Sequence, residues 1–409
     1  MPDDIGEWLD AHSEGGFLWY VKRLSGNDTL ANKSNQAGPY IPREIAFRVY
    51  PDLARQEIKN PDINLELQVD SHGDHRRARV VWYNNRFHGK GAGGRNETRL
   101  TNLGGGASAL LDPESTGALT VFAFRIVEPP QIADCHAWVC RQEIEEELVE
   151  ERTGPVEPGN WAVWPPVQAS LFAARRPAGV GSCRLDPADI PADWLRQFPS
   201  GEEIIRLAMQ RRPGHNLQPD RRLLQRRKCE FDIFRSVEEA VELPAILAGF
   251  SSIDGFVARA QTILQRRKAR SGRSLELHTR EILLEERLLE GMHFSHQPES
   301  EPGKRPDFLF PSEAAYRDRG FPAERLRMLA VKTTCRDRWR QILNEANRIP
   351  RKHLLTLQDG VSEAQFAEMA GADVQLVVPA ELTARFPKSV QPNLQTLEDF
   401  IAEIRLIST

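Results

Sequence analysis

The pattern of apolar and polar positions divides the chain into a strand-rich first part and a second part in which helices and strands alternate. In the first part, the runs FLWYV, RARVVWY and LTVFAFRIV are separated by loops of glycine, asparagine and other polar residues. Short strands joined by such turns are typical of a β barrel or sandwich. An acidic helix, EIEEELVEE, follows them.

In the second part, apolar residues recur with the period of an α-helix. GEEIIRLAMQRR, RRLLQRRKCEFDIFRSVEEAVEL, IDGFVARAQTILQRRKARSG and SLELHTREILLEERLLEG predict successive helices, the last ending at Gly291. HLLTLQ and VQLVVP predict strands, and LQTLEDFIAEI predicts a closing helix. A stretch rich in Gly, Pro and Ala without apolar periodicity predicts a linker. The expected organisation is a β-rich domain at 1–176, a linker at 177–192 and an α/β domain at 193–409.

Composition restricts the class of protein. A chain of 409 residues, 40% hydrophobic and 27% charged, is long enough for two domains with their own cores. No apolar run could span a bilayer and the N-terminus, MPDDIGEWLDAHSEGG, is acidic, so a cytoplasmic protein without a membrane partner is expected. The five cysteines show no paired CxxC spacing and are expected to be reduced and mostly buried.

The distribution of charge along the chain restricts how the protein could bind a nucleic acid. The net charge of −4 gives no overall basic field, so local patches must hold any nucleic acid. Clusters of Arg and Lys at 211–212, 221–222, 226–228 and 266–270 favour a phosphate-binding surface. Two polar loops of the first domain could read base edges through Arg, Asn and Gln. His72, Asp74 and His75 are interpreted as part of a flexible turn rather than a metal site.

Candidate catalytic residues lie between positions 306 and 345. Asp307 begins one apolar run and Lys332 ends another, and both runs predict short buried strands. Beyond Lys332, a helix ending at Pro350 is predicted by apolar residues at 339, 342, 343 and 346, with Glu345 at its polar edge. Two carboxylates and an ammonium suit metal-assisted phosphodiester cleavage. An ordinary α/β domain can also carry Asp and Lys at its strand ends, so the spacing leaves that alternative open.

The arrangement resembles the PD-(D/E)xK nuclease core, with Ala330 where the second acid normally stands. In one branch of restriction endonucleases this acid has moved onto the following helix, where Glu345 is expected to lie. Over nearly its whole length the chain resembles the EcoRII family of restriction endonucleases. The resemblance is carried by KRLSGNDT, DPESTGALT, FPSGEEII, SLELH, PDFLFPSEAAY and LRMLAVKTTCRDRWRQILNEA.

The resemblance implies a type IIE homodimer that cleaves double-stranded DNA at 5′-CCWGG with Mg²⁺. It also implies an N-terminal B3-like pseudobarrel domain that binds a second, effector DNA copy and occludes the catalytic cleft until that copy binds. The α/β domain would have the restriction-endonuclease-like fold. The family's active-site positions correspond to Glu276, Asp307, Tyr316, Lys332 and Glu345. Asp307 and Glu345 would be the metal ligands.

The resemblance also implies the DNA-reading residues. The reader of the CC:GG steps corresponds to Arg336, Asp337 and Arg338, and the pocket for a flipped base to Arg227 and Phe231. Arg can donate to guanine, and Asp can accept from cytosine. The family has Lys at position 336, and Tyr at position 231, where Phe keeps the stacking ring without the hydroxyl. Effector-reading positions correspond to Asn35, Gln36, Tyr40, Arg86, Glu97 and Arg99.

Two other functions stay open. One is a DNA-binding regulator that does not cleave, although every acid and the lysine of the site are present. The other is a structure-selective repair nuclease on the same core, which would cut by shape rather than sequence. The central base pair is also open, because relatives for CCWGG, CCNGG and CCSGG share the Arg-acid-Arg reader. A glycine-rich insertion at 91–94 lengthens the loop before Glu97 and loosens the register there.

Overall fold

The computed structural model describes residues 4–13, 16–33, 38–89, 91–126, 133–165 and 182–408. The chain divides into two compact units. The N-terminal unit comprises Met1–Arg175, Gln358–Glu368 and Ala384–Pro392, and the C-terminal unit comprises Arg176–Leu357, Met369–Thr383 and Asn393–Thr409. Residues 177–181 of the expected linker lie outside the described residues. Of its remainder, Cys183, Leu185 and Ile190 are buried in a core of the C-terminal unit.

The N-terminal unit is built on one mostly antiparallel sheet. Its elements are α1 Ile5–Ala11, β1 Phe17–Arg23, β2 Tyr40–Ile41, α2 Arg43–Val49, β3 Asp62–Val69, β4 Asp74–Tyr83, β5 Glu97–Thr101, β6 Leu119–Arg125, β7 Asp134–Val139, α3 Glu143–Thr153 and β8 Trp161–Trp164. The strands lie in the order β2-β5-β4-β3-β7-β6-β1-β8. β3 and β7 pair in parallel, and their neighbours are antiparallel. This β half-barrel confirms the prediction of a β-rich first domain.

Strand β1 is apolar at successive positions because both of its faces are buried. Leu18 and Tyr20 belong to the core on one face of the sheet. Trp19 and Val21 belong to a second core on the other face, beneath α1 and α3. Since side chains alternate between faces along a strand, a strand covered on both faces needs a continuous apolar run.

Beyond its apolar run, β1 continues through two buried basic residues, Lys22 and Arg23. Lys22 forms an ion pair of 2.6 Å with Asp28. The guanidinium of Arg23 contacts Glu146 at 2.7 Å and Glu150 at 3.0 Å, both on α3. Buried charges persist where they are paired, so these contacts attach α3 to the sheet.

From residue 182 onward, helices surround a smaller sheet. The elements are α4 Ala192–Arg196, α5 Gly201–Arg211, α6 Pro219–Ala248, α7 Ile253–Glu285, β9 Ser295–His296, β10 Phe308–Phe310, α8 Glu313–Arg317, β11 Arg327–Lys332, β12 Lys352–Thr356, α9 Glu363–Gly371, β13 Val374–Val377, α10 Ala380–Thr383 and α11 Leu397–Ser408. The strand order is β13-β12-β11-β10-β9. β11 to β13 are parallel and β9 to β11 antiparallel. The α/β prediction is confirmed.

Helix α7 differs from the prediction. Two separate helices were expected, the second ending at Gly291, but one helix of 33 residues runs through Gly272 and ends at Glu285. A glycine inside a helix costs only about 1 kcal/mol relative to alanine, which packing against α6 can offset. No helix among the described residues has the length and apolarity needed to cross a membrane.

Ion pairs between α6 and α7 overturn part of the predicted phosphate-binding surface. Glu230, Glu238 and Glu242 of α6 are buried. Each contacts arginines of α7, and Arg226 of α6 in turn contacts Glu285 at 2.7 Å. The α7 arginines in these pairs are Arg259, Arg266, Arg267 and Arg270. The clusters at 226–228 and 266–270 were predicted to bind phosphate, but four of their arginines instead neutralise carboxylates at the packed faces of the two helices. They are Arg226, Arg266, Arg267 and Arg270.

The cysteine prediction is wrong for one pair. Cys183 and Cys229 form a disulfide with a Cα–Cα distance of 5.0 Å. Cys135, Cys140 and Cys335 are free and buried, as expected. The pair is separated by 46 positions along the chain, so only the packing of residues 182–190 against α6 brings the two sulfur atoms together.

Candidate active site

Asp307 and Lys332 meet at one end of the strand pair β10 and β11. Asp307 directly precedes β10, and Lys332 is the last residue of β11. The backbone N–H of Val331 donates to Asp307 Oδ2 at 2.7 Å. The same oxygen lies 3.5 Å from Lys332 Nζ. The antiparallel pairing of the strands therefore fixes both the carboxylate and the ammonium at the same end of this strand pair.

Glu345 reaches this site from a turn rather than from an α-helix. The predicted helix up to Pro350 is instead a 3₁₀ helix over Asp337–Asn344, and Glu345 has extended backbone at its end. The buried Lys352 ammonium donates to three carbonyl oxygens, those of Glu345 at 2.6 Å, Ala346 at 2.8 Å and Ile349 at 2.6 Å. These bonds hold the chain in a turn, so the helical period of the sequence stops early.

Burial makes ionisation of the two site carboxyls unfavourable. The pKa of Glu345 is raised to about 7, chiefly by desolvation; Lys332 and Lys352 oppose this shift, and Asp307 adds to it. Desolvation also raises the pKa of Asp307 against the opposing effect of Lys332. A bound divalent cation would offset this cost, and carboxylate oxygens are the ligands that hard cations prefer. The donor set therefore fits a divalent metal ion.

Glu276 is a third carboxylate near the pair, on the buried face of α7. Its Oε1 accepts hydrogen bonds of 2.6 Å from His296 Nε2 and from the side-chain amide of Gln297. Burial alone would raise the pKa of Glu276, but these two hydrogen bonds outweigh it and lower the pKa. Sequence reasoning missed His296 and Gln297, because β9 comes beside β10 only through pairing of the sheet.

Tyr316 braces the turn that carries Glu345. Its hydroxyl donates to Glu301 and accepts from the backbone N–H of Arg348 at 3.2 Å. Glu301 also accepts from the backbone N–H of Asn347 at 2.9 Å. Burial and then Glu301 raise the pKa of Tyr316 to about 12. The tyrosine is thus a neutral positioning group that contacts the turn three residues after Glu345. Glu301, which contacts the turn two residues after Glu345, is a partner that no sequence signal indicated.

Two family models match the chain. The model described as Restriction endonuclease EcoRII, N-terminal, matches residues 13–168, and the one described as EcoRII C terminal matches residues 234–401. A curated relative, "Type II restriction enzyme EcoRII" from Escherichia coli, is 43% identical over 401 residues, covering 97% of this chain and 96% of the relative. The chain belongs to the EcoRII family. It is a type II restriction endonuclease, a site-specific nuclease acting on DNA.

Solved structures were also matched. "Metal-depleted Ecl18kI in complex with uncleaved DNA" is 18% identical with a TM-score of 0.42, covering 55% of this chain and 85% of that one. The "UbaLAI restriction endonuclease B3 domain" with cognate DNA is 17% identical with a TM-score of 0.28, covering 39% of this chain and 97% of that one. Both TM-scores are below 0.5, so the assignment to the EcoRII family rests on the sequence matches.

The expected base-reading residues of this EcoRII-family chain begin the 3₁₀ helix just beyond Lys332. Arg336 and Arg338 are half-buried. Asp337 is exposed and lies 3.2 Å from the guanidinium of Arg340. The structure therefore places a carboxylate on the surface between two arginines, within six residues of the candidate catalytic lysine.

The expected base pocket lies on α6. Arg227 is buried, and Phe231, one turn later, is 39% exposed. The guanidinium of Arg270 lies over the Phe231 ring, 4.9 Å from its centre, and pairs with Glu230 at 2.7 Å. The exposed ring is accordingly covered on one side by an arginine from α7.

The structure brings three of the expected effector-reading residues together at the β2 edge of the N-terminal sheet. Tyr40 on β2 is the register partner of Arg99 on β5. Arg99 lies 3.2 Å from Glu97 and donates to the carbonyl of Gly38 at 2.9 Å. These polar groups form one edge of the sheet.

Arg86 stands nearby on an exposed turn after β4. Its backbone N–H donates to the carbonyl of Arg95 at 3.1 Å. A Cβ on Gly94 would lie 2.6 Å from the Arg86 nitrogen, so the glycine-rich insertion folds closely against this turn. Asn35 and Gln36, the other expected effector contacts, lie outside the described residues.

The raised pKa of Glu345 predicts pH-dependent metal affinity. At pH 6, one unit below about 7, roughly 90% of this carboxyl is protonated, and a divalent ion must displace the proton. The affinity of the site for a divalent metal ion should therefore rise about tenfold between pH 6 and pH 8. Calorimetric titration at several pH values measures this, and Glu345→Gln should flatten the dependence. An unchanged slope in that variant would assign the titration to another group.

Proposed function

We propose that the protein is a type IIE restriction endonuclease that hydrolyses double-stranded DNA at 5′-CCWGG in the cytoplasm. In this proposal it depends on Mg²⁺, works as a homodimer and is stimulated by a second DNA site bound to the N-terminal unit. The proposal of catalysis rests on one observation: Asp307, Lys332 and Glu345 come together at one end of the strand pair β10 and β11. Membership of the EcoRII family supports the recognition sequence and the effector role.

The proposed roles follow from the geometry. Lys332, whose ammonium stays beside Asp307, would stabilise the crowded negative charge of the pentacovalent phosphate or orient the attacking water. Asp307 and Glu345 would hold Mg²⁺, which when bound supplies Lewis-acid charge neutralisation at the scissile phosphate. Glu276, kept ionised by His296 and Gln297, would support the metal environment from the side of α7.

DNA reading is proposed for the surface that starts just after β11. Arg336 and Arg338 would donate to guanine edges in the major groove, and exposed Asp337 would accept from cytosine N4. Arg227 and Phe231 would receive a base flipped out of the duplex, with the Phe231 ring as its stacking surface. A homodimer would present these residues twice and so read a symmetric site.

Dimer formation is supported by exposed apolar residues at the end of α6 and the start of α7. Contiguous apolar surface of this kind usually marks an interaction site. The residues are Ile246, Leu247, Phe250, Ile253, Phe256 and Val257.

Cleavage of plasmids with one or several CCWGG sites tests the proposal. The several-site plasmid should be cut with Mg²⁺, and the single-site plasmid should be cut once short duplex carrying the site is added. Equal cutting of both plasmids would retain the nuclease and remove the effector role. Specific binding without cutting would favour the regulator, and cutting that ignores sequence would favour the repair nuclease.

Arg86→Ala tests the effector surface separately. Loss of one arginine–base contact costs about 1–3 kcal/mol, so about 5- to 150-fold more added duplex should be needed to stimulate cutting of the single-site plasmid. Arg55, an exposed arginine of the same unit paired with Asp52, provides the control as Arg55→Ala. If both variants respond to duplex like the unchanged protein, the effector DNA does not contact Arg86.

A further inference from the structure

A group of metal-binding side chains lies in the N-terminal unit, far in sequence from the candidate catalytic residues. His12 ends α1, Asp70 follows β3, and His136 lies on β7. One ligand atom of each lies within 4.8 Å of the others. Sequence reasoning considered His72, Asp74 and His75 for such a role and missed this group, because its members are brought together only by the sheet.

We propose that His12, Asp70 and His136 form a binding site for a transition-metal ion of the Zn²⁺ class. Two imidazoles and one carboxylate are the donor set that such ions prefer, whereas Mg²⁺ prefers oxygen ligands alone. The fourth position of a tetrahedral ion would be taken by water, as in other three-ligand sites.

Hydrogen bonds leave the required nitrogen of His12 available. The Nδ1 of His12 lies 2.7 Å from the carbonyl oxygen of Trp8, to which it can only donate. A neutral His12 ring therefore carries its lone pair on Nε2. The backbone carbonyl of His12 accepts from the indole of Trp19 at 2.8 Å, which fixes this end of α1.

The other two ligands, Asp70 and His136, are already joined by a hydrogen bond. His136 Nδ1 donates to Asp70 Oδ2 at 2.9 Å. A metal ion at Nδ1 would take the place of that hydrogen, and the single proton of the neutral His136 ring would move to Nε2. Tetrahedral zinc needs ligand atoms about 3.3 Å apart, given Zn–N distances of about 2.0 Å. The 2.9 Å pair must therefore open slightly, and the ligand atoms, which now lie within 4.8 Å of one another, must close around the ion.

The surroundings of the site orient its ligands. Trp8 holds two of them, because its indole N–H donates to Asp70 Oδ2 at 2.7 Å while its carbonyl accepts from His12. Partners of this kind fix ligand orientation in metal sites. Asp70 also lines a surface cavity of about 680 Å³ beside Trp138 and Arg141. A bound ion would tie α1 to β7.

Titration of the untagged full-length protein with Co²⁺ tests the site without any mutation. Cobalt held by two histidines in a four-coordinate site gives a visible absorption far stronger than cobalt held by carboxylates and water. We expect this band to saturate at one equivalent and to disappear when Zn²⁺ is added, but not when Mg²⁺ is added. Absence of the band would overturn the proposal and leave the group as a hydrogen-bonded Trp–Asp–His structure.

Variants then assign the ligands. Loss of a ligand's supporting partner weakens metal affinity about 10–100-fold, so His12→Gln and His136→Gln should each weaken Zn²⁺ binding at least about 100-fold in calorimetry. His75→Gln, which alters an exposed histidine of the same unit, should bind like the unchanged protein. Asp307→Ala removes binding at the candidate catalytic carboxylates and should leave this site intact. Unchanged affinity in His12→Gln and His136→Gln would place the ion elsewhere.

Discussion

Lys332→Ala is expected to lower the rate of DNA cleavage by about 10³-fold while leaving binding to the recognition sequence nearly unchanged. Preorganised charge aimed at a developing anion is worth about 10²–10³-fold per donor, and Lys332 also stabilises the ionised form of Asp307, since its ammonium lowers the pKa of that carboxyl. Its Nζ lies 3.5 Å from Asp307 Oδ2, so it is part of the carboxylate cluster rather than of the base-reading surface.

Single-turnover cleavage, together with DNA binding measured without divalent metal, separates these effects. Lys228→Ala, which removes an exposed lysine of α6, serves as the control for a general loss of positive charge. Normal cutting by the Lys332 variant would show that the catalytic assignment is wrong. Loss of binding in proportion to cutting would instead move Lys332 into the DNA-contacting surface.

Glu230→Ala is expected to reduce the free energy of unfolding by about 3–5 kcal/mol, the usual cost of removing one partner of a buried ion pair. Glu230 is 1% exposed, and its carboxylate accepts from Arg270 at 2.7 Å and from Ser274 at 3.0 Å. The substitution leaves the guanidinium of Arg270 without the carboxylate that balances it inside the α6–α7 pair. Chemical denaturation followed by circular dichroism measures the change.

Helix α6 also offers the matched control. Glu239 pairs with Arg184 at 2.5 Å, but both side chains are about half exposed to solvent. Glu239→Ala should therefore change the free energy of unfolding by less than about 1 kcal/mol. If both variants lose the same small amount, the α6–α7 ion pairs do not carry the stability assigned to them.

The candidate site was readable from the sequence where it depends on local pattern. Asp307 and Lys332 stand at the ends of two short apolar runs, and the strand pairing that joins those runs places them together. The structure places Glu345 near this pair, where its carboxyl interacts electrostatically with both, but its turn was not predicted. The turn is set by Lys352, a residue beyond Pro350 whose ammonium binds three carbonyl oxygens.

The partners of the buried charges could not be read in the same way. His296, Gln297 and Glu301 contact Glu276 and Tyr316 only because separate segments pack on one sheet. The arginine clusters of α6 and α7 looked like a DNA surface because a sequence shows charge without showing what neutralises it. Packing of the two helices supplied the carboxylates.

The sequence by itself determined the two-domain organisation, the β-rich and α/β classes and the membership of the EcoRII family. Those properties follow from apolar periodicity and from long strings of residues, which are local along the chain. Tertiary structure alone decided the Cys183–Cys229 disulfide, the continuity of α7, the ion pairs and the grouping of His12, Asp70 and His136. Each of these depends on the free energy of bringing distant segments together, which no short window of sequence contains.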